Sequence, residues 1–312
     1  MIREIIAILV FPGLLFVSIA GLAAEVIDRK VNARLQNRVG PPWFQTFADL
    51  IKLIAKEEVI PCDANPRMFS IAPLCAFTSV VTAFLYIPLW GQGSAFSFYG
   101  DMIVVLYLLT VPTLAFFIGG WYSTSLFSRI GSVRCVTQLF AYEVPLFMSL
   151  LAPALLADSW SLVTIQHFYF LHPWALSCNA PGFAIALIAL LGKLEKAPFD
   201  IPEAETEIVA GAFTEYSGRL FAILRLTLNI EMVAGASLLA AVFLPFGATL
   251  NPVAGFVLYL AKVLFVVVLL SLLRTIFARM RIDQMIDFCW KYLVPCALLQ
   301  LLLDLVLKGV VR

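Results

Sequence analysis

An all-α bundle that crosses a membrane several times is the fold class this sequence predicts, and three observations predict it. Of 312 residues, 62% are hydrophobic and 13% are charged, against about 25% charged in a typical soluble domain; the mean hydropathy is +0.96. A water-facing exterior needs charge that this chain lacks, and a lipid-facing one does not. The apolar residues gather in eight runs, at about 4–26, 69–90, 102–122, 136–157, 181–195, 217–246, 253–274 and 289–309, most of them near the roughly 20 residues that a spanning helix requires. Finally, the runs do not alternate, and lipid admits only helices or closed barrels, which argues against strands.

The first run, Ile5 to Ala24, lacks the strongly basic start and small-residue cleavage site of a signal peptide, so it reads as a span. Pro112, Pro145 and Pro153 lie inside the third and fourth runs, where kinks are tolerated. The fifth run is short; the sixth is long and interrupted. Sixteen lysines and arginines fall in the loops after spans one, three, five and seven, against Arg3, Lys308 and Arg312 on the other side. The loops at 91–101, 158–180 and 247–252 hold none. That bias predicts four cytoplasmic loops and both termini outside. With no linker or repeat, residues 1–312 read as a single transmembrane domain in the cell membrane.

Two basic-side loops, 24–66 and 192–218, carry the chemistry. In the first, Trp43, Phe44, Phe47, Leu50, Ile51, Ile54 and Ala55 fall at helical spacing after Pro42, with Asp49, Lys52, Lys56 and Glu57 on the other face. This predicts an interfacial amphipathic helix at about 42–57, with Pro42 in its first turn. It is either an ordinary membrane-surface helix or a docking bar for a peripheral partner. The second loop places six carboxylates, Glu195, Asp200, Glu203, Glu205, Glu207 and Glu215, within 21 residues. Clustered, partly buried carboxylates hold protons more tightly. A solvated acidic loop gains nothing from the interleaved Pro198, Phe199, Ile201, Pro202, Ile208 and Val209, whereas a chain of proton-accepting groups set in protein does.

Ionisable residues also occur inside the runs: Glu143 in the fourth, Arg225 and Glu231 in the sixth, Lys262 in the seventh and Asp304 in the eighth. A charge at mid-bilayer costs roughly 3 kcal/mol or more unless paired or hydrated. Glu143, Glu231 and Lys262 therefore read as part of a proton or ion path, while Arg225 and Asp304 are near enough to run ends to snorkel. A retinal Schiff base at Lys262 is set aside, because neither loops nor helix count suit it. The six cysteines form no CxxC, and Cys75, Cys135, Cys289 and Cys296 read as small buried hydrophobes. His167 and His172 lack a third ligand. The chain is thus expected to bind no metal or redox cofactor of its own, and a net charge of +1 makes no case for nucleic acid.

Five blocks carry a family likeness: RKVNARLQNRVGPP, FADLIKLIAKEEVIP, AYEVPL, APFDIPEAETEIVAG and EYSG, in that order. They resemble the ND1-type (H-subunit) family of respiratory complex I, and equally the matching subunit of membrane-bound nickel–iron hydrogenases, over nearly the whole chain. The resemblance implies eight helices with an interfacial helix near the N-terminus, and a place where membrane and hydrophilic arms meet. Glu143 matches the acid of the YEVPL helix. Glu203, Glu205 and Glu207 match the loop acids, Glu215 the acid of EYSG, and Arg34 and Arg38 the basic stretch after the first helix.

Three departures refine the likeness. Gly40-Pro41-Pro42-Trp43 runs almost directly into the amphipathic helix, without the longer stretch and second Gly-Pro of quinone-type members; this resembles the hydrogenase branch, including the formate hydrogenlyase type. Lys193 stands where the family often has a glutamate, with Glu195 two residues on as a substitute. The usual sixth-helix acid position is Leu228, one helical turn from Glu231.

The resemblance therefore implies the anchoring, ion-translocation-coupling subunit of an energy-converting hydrogenase. Electrons from ferredoxin or formate would pass through iron–sulfur clusters to a nickel–iron centre. These centres would lie in partners: hydrogenase large and small subunits and a ferredoxin-like iron–sulfur subunit. Antiporter-like membrane subunits would be neighbours. The expected path is Glu143, Glu195, Glu203, Glu205, Glu207, Glu215, Glu231 and Lys262. Arg34, Arg38, Asp49, Lys52, Asp200 and Arg219 would face a partner or a quinone-like cavity. The alternative is the quinone-site subunit of a complex I-type quinone oxidoreductase, with the loops around 34–60 and 195–215 walling a quinone pocket. A stand-alone secondary transporter would need an internal repeat, which this sequence lacks.

Overall fold

A computed structural model describes residues 2–89, 93–247 and 251–311, with the side chains of 2, 3, 205, 206, 310 and 311 outside that description. Every regular element in these residues is helical. In chain order the α-helices are α1 (Ile2–Leu9), α2 (Leu14–Leu35), α3 (Gln45–Ala55), α4 (Pro66–Tyr86), α5 (Asp101–Tyr122), α6 (Leu126–Ala157), α7 (Leu162–Leu171), α8 (Pro173–Cys178), α9 (Ala180–Lys193), α10 (Glu205–Ile208), α11 (Gly218–Phe243), α12 (Pro252–Ile276), α13 (Ile282–Phe288) and α14 (Val294–Val311), with a 3-10 turn at Gly211–Phe213 and a π-helical turn at Cys289–Leu293.

Among the described residues, seven helical stretches are long and apolar enough to cross a membrane: Glu4–Leu35, Pro66–Tyr86, Asp101–Tyr122, Leu126–Ala157, Gly218–Phe243, Pro252–Ile276 and Ile282–Gly309. The fifth expected span is α9, with 14 residues, or about 21 Å of helix against a hydrocarbon core of about 30 Å. Ile185, Ala186, Leu187, Ala189, Leu190 and Leu191 are all buried among α6, α11, α12 and α14. Protein rather than lipid surrounds α9, and that is the setting in which helical structure can stop early.

Boundaries shift where polar sequence stays helical. α2 runs on to Leu35 through the charged AEVIDRK stretch, so the loop expected from residue 24 begins after Leu35, and Glu25, Asp28 and Arg29 lie on a helix face. α6 begins ten residues before its apolar run and spans 32 residues, about 48 Å. The sixth span, α11, is continuous rather than interrupted, and its residues Ile230–Phe243 are buried throughout. It forms the axis on which α2, α4, α12, α9 and α3 pack. Where α2 meets α11, a Cβ on Gly21 would lie 3.1 Å from the Asn229 backbone, so a larger residue there would push the two helices apart by a few tenths of an ångström.

The interfacial helix is α3, shorter than the expected 42–57, because Pro42–Phe44 form the preceding turn, closed by Gln45 N–H donating to the Pro42 carbonyl. Trp43, Phe44, Ile51 and Ile54 are exposed, while Thr46 is buried and donates to the Leu22 carbonyl of α2. Cys135 and Cys289 are buried as expected, but Cys75 and Cys296 are exposed; on helices that face lipid, a small hydrophobe has no need of a core.

The charged loops meet one another at one end of the bundle. Met280 N–H donates to the Pro198 carbonyl and Asn65 N–H to the Tyr122 carbonyl, and Val59 N–H donates to Ser217 Oγ. At the other end, Met102 N–H donates to the Trp160 carbonyl and Lys308 pairs with Asp158 at 2.6 Å.

Candidate functional site

The APFDIPEAE stretch is held against α6 by one buried side chain. Gln138 donates from Nε2 to the carbonyls of Gly192 and Phe199, both at 2.7 Å. Phe199, Ile201 and Ile208 are buried, as their interleaving with the acids requires. Arg279 Nε pairs with Asp200 Oδ1 at 2.6 Å. The loop is therefore fixed at its apolar and its charged positions.

Between this loop, α2, α3 and α11 lies a cavity of about 750 Å³, whose wall includes Glu25, Arg29, Asp49, Lys52, Glu195, Lys196, Asp200, Glu203, Arg225, Arg274 and Arg279. Ion pairs stiffen the wall. Asp28, 1% exposed, accepts from Lys196 at 2.6 Å, Arg274 at 2.9 Å and Ser271 at 2.6 Å. Glu25 meets Arg29 at 2.8 Å, and Arg225 meets Glu203 at 3.5 Å.

Glu195 lies at the back of the cavity, 6% exposed. It follows the end of α9 with φ of +50°, the left-handed conformation that usually calls for glycine after a helix. A non-glycine residue there is strained, and it turns this carboxyl inward, where Cys135 Sγ donates to it at 3.0 Å. Burial pushes its pKa up to about 8, with Glu203 and Glu231 adding to the rise and Lys193 opposing it.

Behind Glu195, Lys193 Nζ pairs with Glu231 Oε1 at 3.0 Å, both side chains almost wholly buried. Lys193 also donates to the Leu109 carbonyl and sits 5.8 Å from the centre of the Tyr142 ring. Glu231 Oε2 has no hydrogen-bond partner among the described residues. Glu143, half-buried, faces Lys193 and Tyr142 across a cleft of about 10 Å³, room for roughly one water. A protonatable series thus runs from the cavity through Glu195 to Glu231 and Glu143, with one lysine among them.

Comparison with known proteins places this arrangement. The model of the family described as NADH dehydrogenase matches residues 6–305. The chain belongs to the NADH dehydrogenase family. It is 36% identical over 299 residues to the H subunit of the NADH-quinone oxidoreductase of Carboxydothermus hydrogenoformans, covering 91% of this chain and 84% of that protein. The matching protein of Geobacillus kaustophilus is 35% identical, with 97% and 92% covered. Among solved structures, a chain of the membrane-bound sulfane sulfur reductase, an archaeal respiratory membrane complex, superposes with a TM-score of 0.84 at 27% identity, covering 97% of this chain and 98% of that one.

In this NADH dehydrogenase-family chain the expected residues separate. Glu143, Glu195 and Glu231 converge on Lys193, and Glu203, Asp49, Lys52 and Asp200 line the cavity. Glu207 instead is exposed and pairs with Arg134 at 2.6 Å, which holds its carboxyl below the usual range. Glu215 is half-buried off the cavity wall. Arg34, Arg38 and Arg219 are exposed and also lie off that wall. Lys262 donates to the Phe246 carbonyl, in the connection at the opposite end from the loop acids. The Glu205 side chain lies outside the described residues.

Sequence reasoning passed over Lys193, Gln138, Cys135 and the Asp28 network as participants. The signal for Asp28 was present: Glu25, Asp28 and Arg29 share a helix face once α2 is carried past its apolar run.

Proposed function

We propose that this chain is the membrane subunit of a complex I-type oxidoreductase, where a redox event at the charged end is converted into movement of protons or sodium ions. The observation that carries this reading is the continuity from cavity to Glu195, Lys193, Glu231 and Glu143. Relatives named as H subunits of NADH-quinone oxidoreductase support a quinone as the acceptor at the cavity. The wall fits its headgroup, because arginine and lysine N–H groups suit carbonyl oxygens and 750 Å³ lies within the roughly 300–1,000 Å³ of small-molecule sites. A bound quinone supplies two-electron, two-proton acceptor chemistry. The chain's own part is to orient it with Arg and Lys donors, supply a proton from Glu195, and transmit the resulting charge change through Lys193 to Glu231 and Glu143. The charged loops are cytoplasmic by the lysine and arginine bias, and the subunit works beside antiporter-like membrane partners.

A second reading, the matching subunit of a membrane-bound nickel–iron hydrogenase, has one specific observation in its favour: the short Gly40–Trp43 connection into α3. The metal and iron–sulfur centres then belong to partner subunits docked on the same loops. Metal and quinone analysis of the native complex separates the two, since nickel without quinone selects the hydrogenase and quinone without nickel rejects it. For either, Glu143→Gln and Glu195→Gln are expected to abolish ion pumping while electron transfer in the soluble arm stays measurable. Pumping at the wild-type ratio in both variants removes this path from the mechanism.

A further inference from the structure

A second protonatable site lies toward the uncharged end, apart from the cavity and the Lys193 cluster. Asp304 of α14 is completely buried (0% exposed). One turn earlier, Gln300 Nε2 donates to the Cys178 carbonyl and Asn179 Oδ1 at 3.0 Å each, and only at 3.4 Å to Asp304 Oδ1. Asn179 in turn donates to the Tyr169 hydroxyl at 2.6 Å. Asp304 Oδ2 has no hydrogen-bond partner among the described residues.

No cation compensates this carboxyl among the described residues. Lys308, one turn further along α14, is engaged by Asp158 at 2.6 Å. The titratable neighbours are Tyr169 and Cys178; α6 after Glu143 and α9 before Lys193 contribute no charged residue. A carboxylate in this setting, with only the neutral amides of Gln300 and Asn179 beside it, would meet a desolvation cost that no positive charge offsets. The neutral acid avoids that cost, but its O–H then lacks a protein acceptor, which is the state of a group whose natural partner is a mobile water.

We propose that Asp304 is a proton-exchange site serving the uncharged half of the bundle, with Gln300 and Asn179 as its positioning residues. The Oδ2–H bond breaks, the proton passes to a water that enters past the Lys308–Asp158 pair, and the reverse step reloads the acid; no electron moves. The site is independent of which acceptor the cavity takes; its infrared test stands apart from the proposed function, while its proton-release test rests on that reading.

Infrared spectroscopy of the intact purified complex tests it. A carboxylic-acid C=O band is expected that disappears in Asp304→Asn and moves in D₂O as the acid becomes deuterated. In proteoliposomes, Asp304→Asn is expected to lose proton release on the uncharged side while electron transfer persists. A band that survives Asp304→Asn, a band that does not move in D₂O, or wild-type proton release in the variant overturns the proposal; so does release that requires sodium. If Asp304→Asn does not assemble, Gln300→Leu keeps the acid and removes its donor, and the C=O band must then shift. An unshifted band again overturns it.

Discussion

At neutral pH the Glu195 carboxyl holds its proton, because burial raises it from an ordinary 4.5 to about 8. A carboxyl raised on folding contributes stability that is fully present below 4.5 and is lost as pH rises through about 8. The melting temperature of the complex should therefore fall between about pH 4.5 and about pH 8, and Glu195→Gln should flatten that part of the curve; an equal slope in the variant assigns the effect elsewhere. Lys193 and Glu231 make a different prediction. Removing one partner of a buried pair leaves the other uncompensated, at a cost of roughly 3–5 kcal/mol, whereas replacing both with apolar residues is often neutral. Lys193→Ala should sharply lower the denaturation midpoint, and Lys193→Met with Glu231→Leu should restore it without restoring pumping. If the double variant is no more stable than the single one, the pair is not what holds α9 to α11.

Helices and turns explain what was and was not legible in the sequence. Hydropathy located every long helix, because lipid leaves a chain few other choices. It ended α2 too early and began α6 too late, because charged residues packed against protein remain helical without remaining apolar. It gave α9 close to its true short length, and burial in protein is what frees that helix from bilayer thickness. In the site, Glu143 and Glu231 were legible as charges inside apolar runs. Their meeting with Lys193 was not, since a contact between α9 and α11 leaves no trace in spacing. The glycine of EYSG is an element-scale test. Gly218 opens α11 with φ of +58°, and a Cβ there would lie 2.5 Å from the Glu57 carbonyl oxygen. Gly218→Ala should lower stability by roughly 1–3 kcal/mol, read as a lower melting temperature and less assembled complex. Gly309→Ala, with open space around its Cβ, should do neither, and equal losses in both would deny Gly218 its special place.

Across the whole molecule, charge is layered. The end that gathers the 36–65, 194–217 and 277–281 connections holds most of the lysine and arginine, and the opposite connections hold almost none. If that bias sets orientation, Cys62, exposed in the connection before α4, should react with a membrane-impermeant thiol reagent in inverted vesicles and not in right-side-out ones; the reverse pattern would turn the subunit over. The same layering gives the buried lysine a wider meaning. Lys193 cannot move far, since Glu231, the Leu109 carbonyl and the Tyr142 ring enclose it. When Glu231 takes up a proton, a positive charge is unmasked at the bundle's axis without any helix shifting. At an effective dielectric constant of about 20, that charge changes the energy of another about 10 Å away by about 1.7 kcal/mol, somewhat more than tenfold in an equilibrium. The lysine then behaves as the fixed plate of a capacitor, and a single proton hop becomes a change in voltage that neighbouring subunits can feel through a rigid wall.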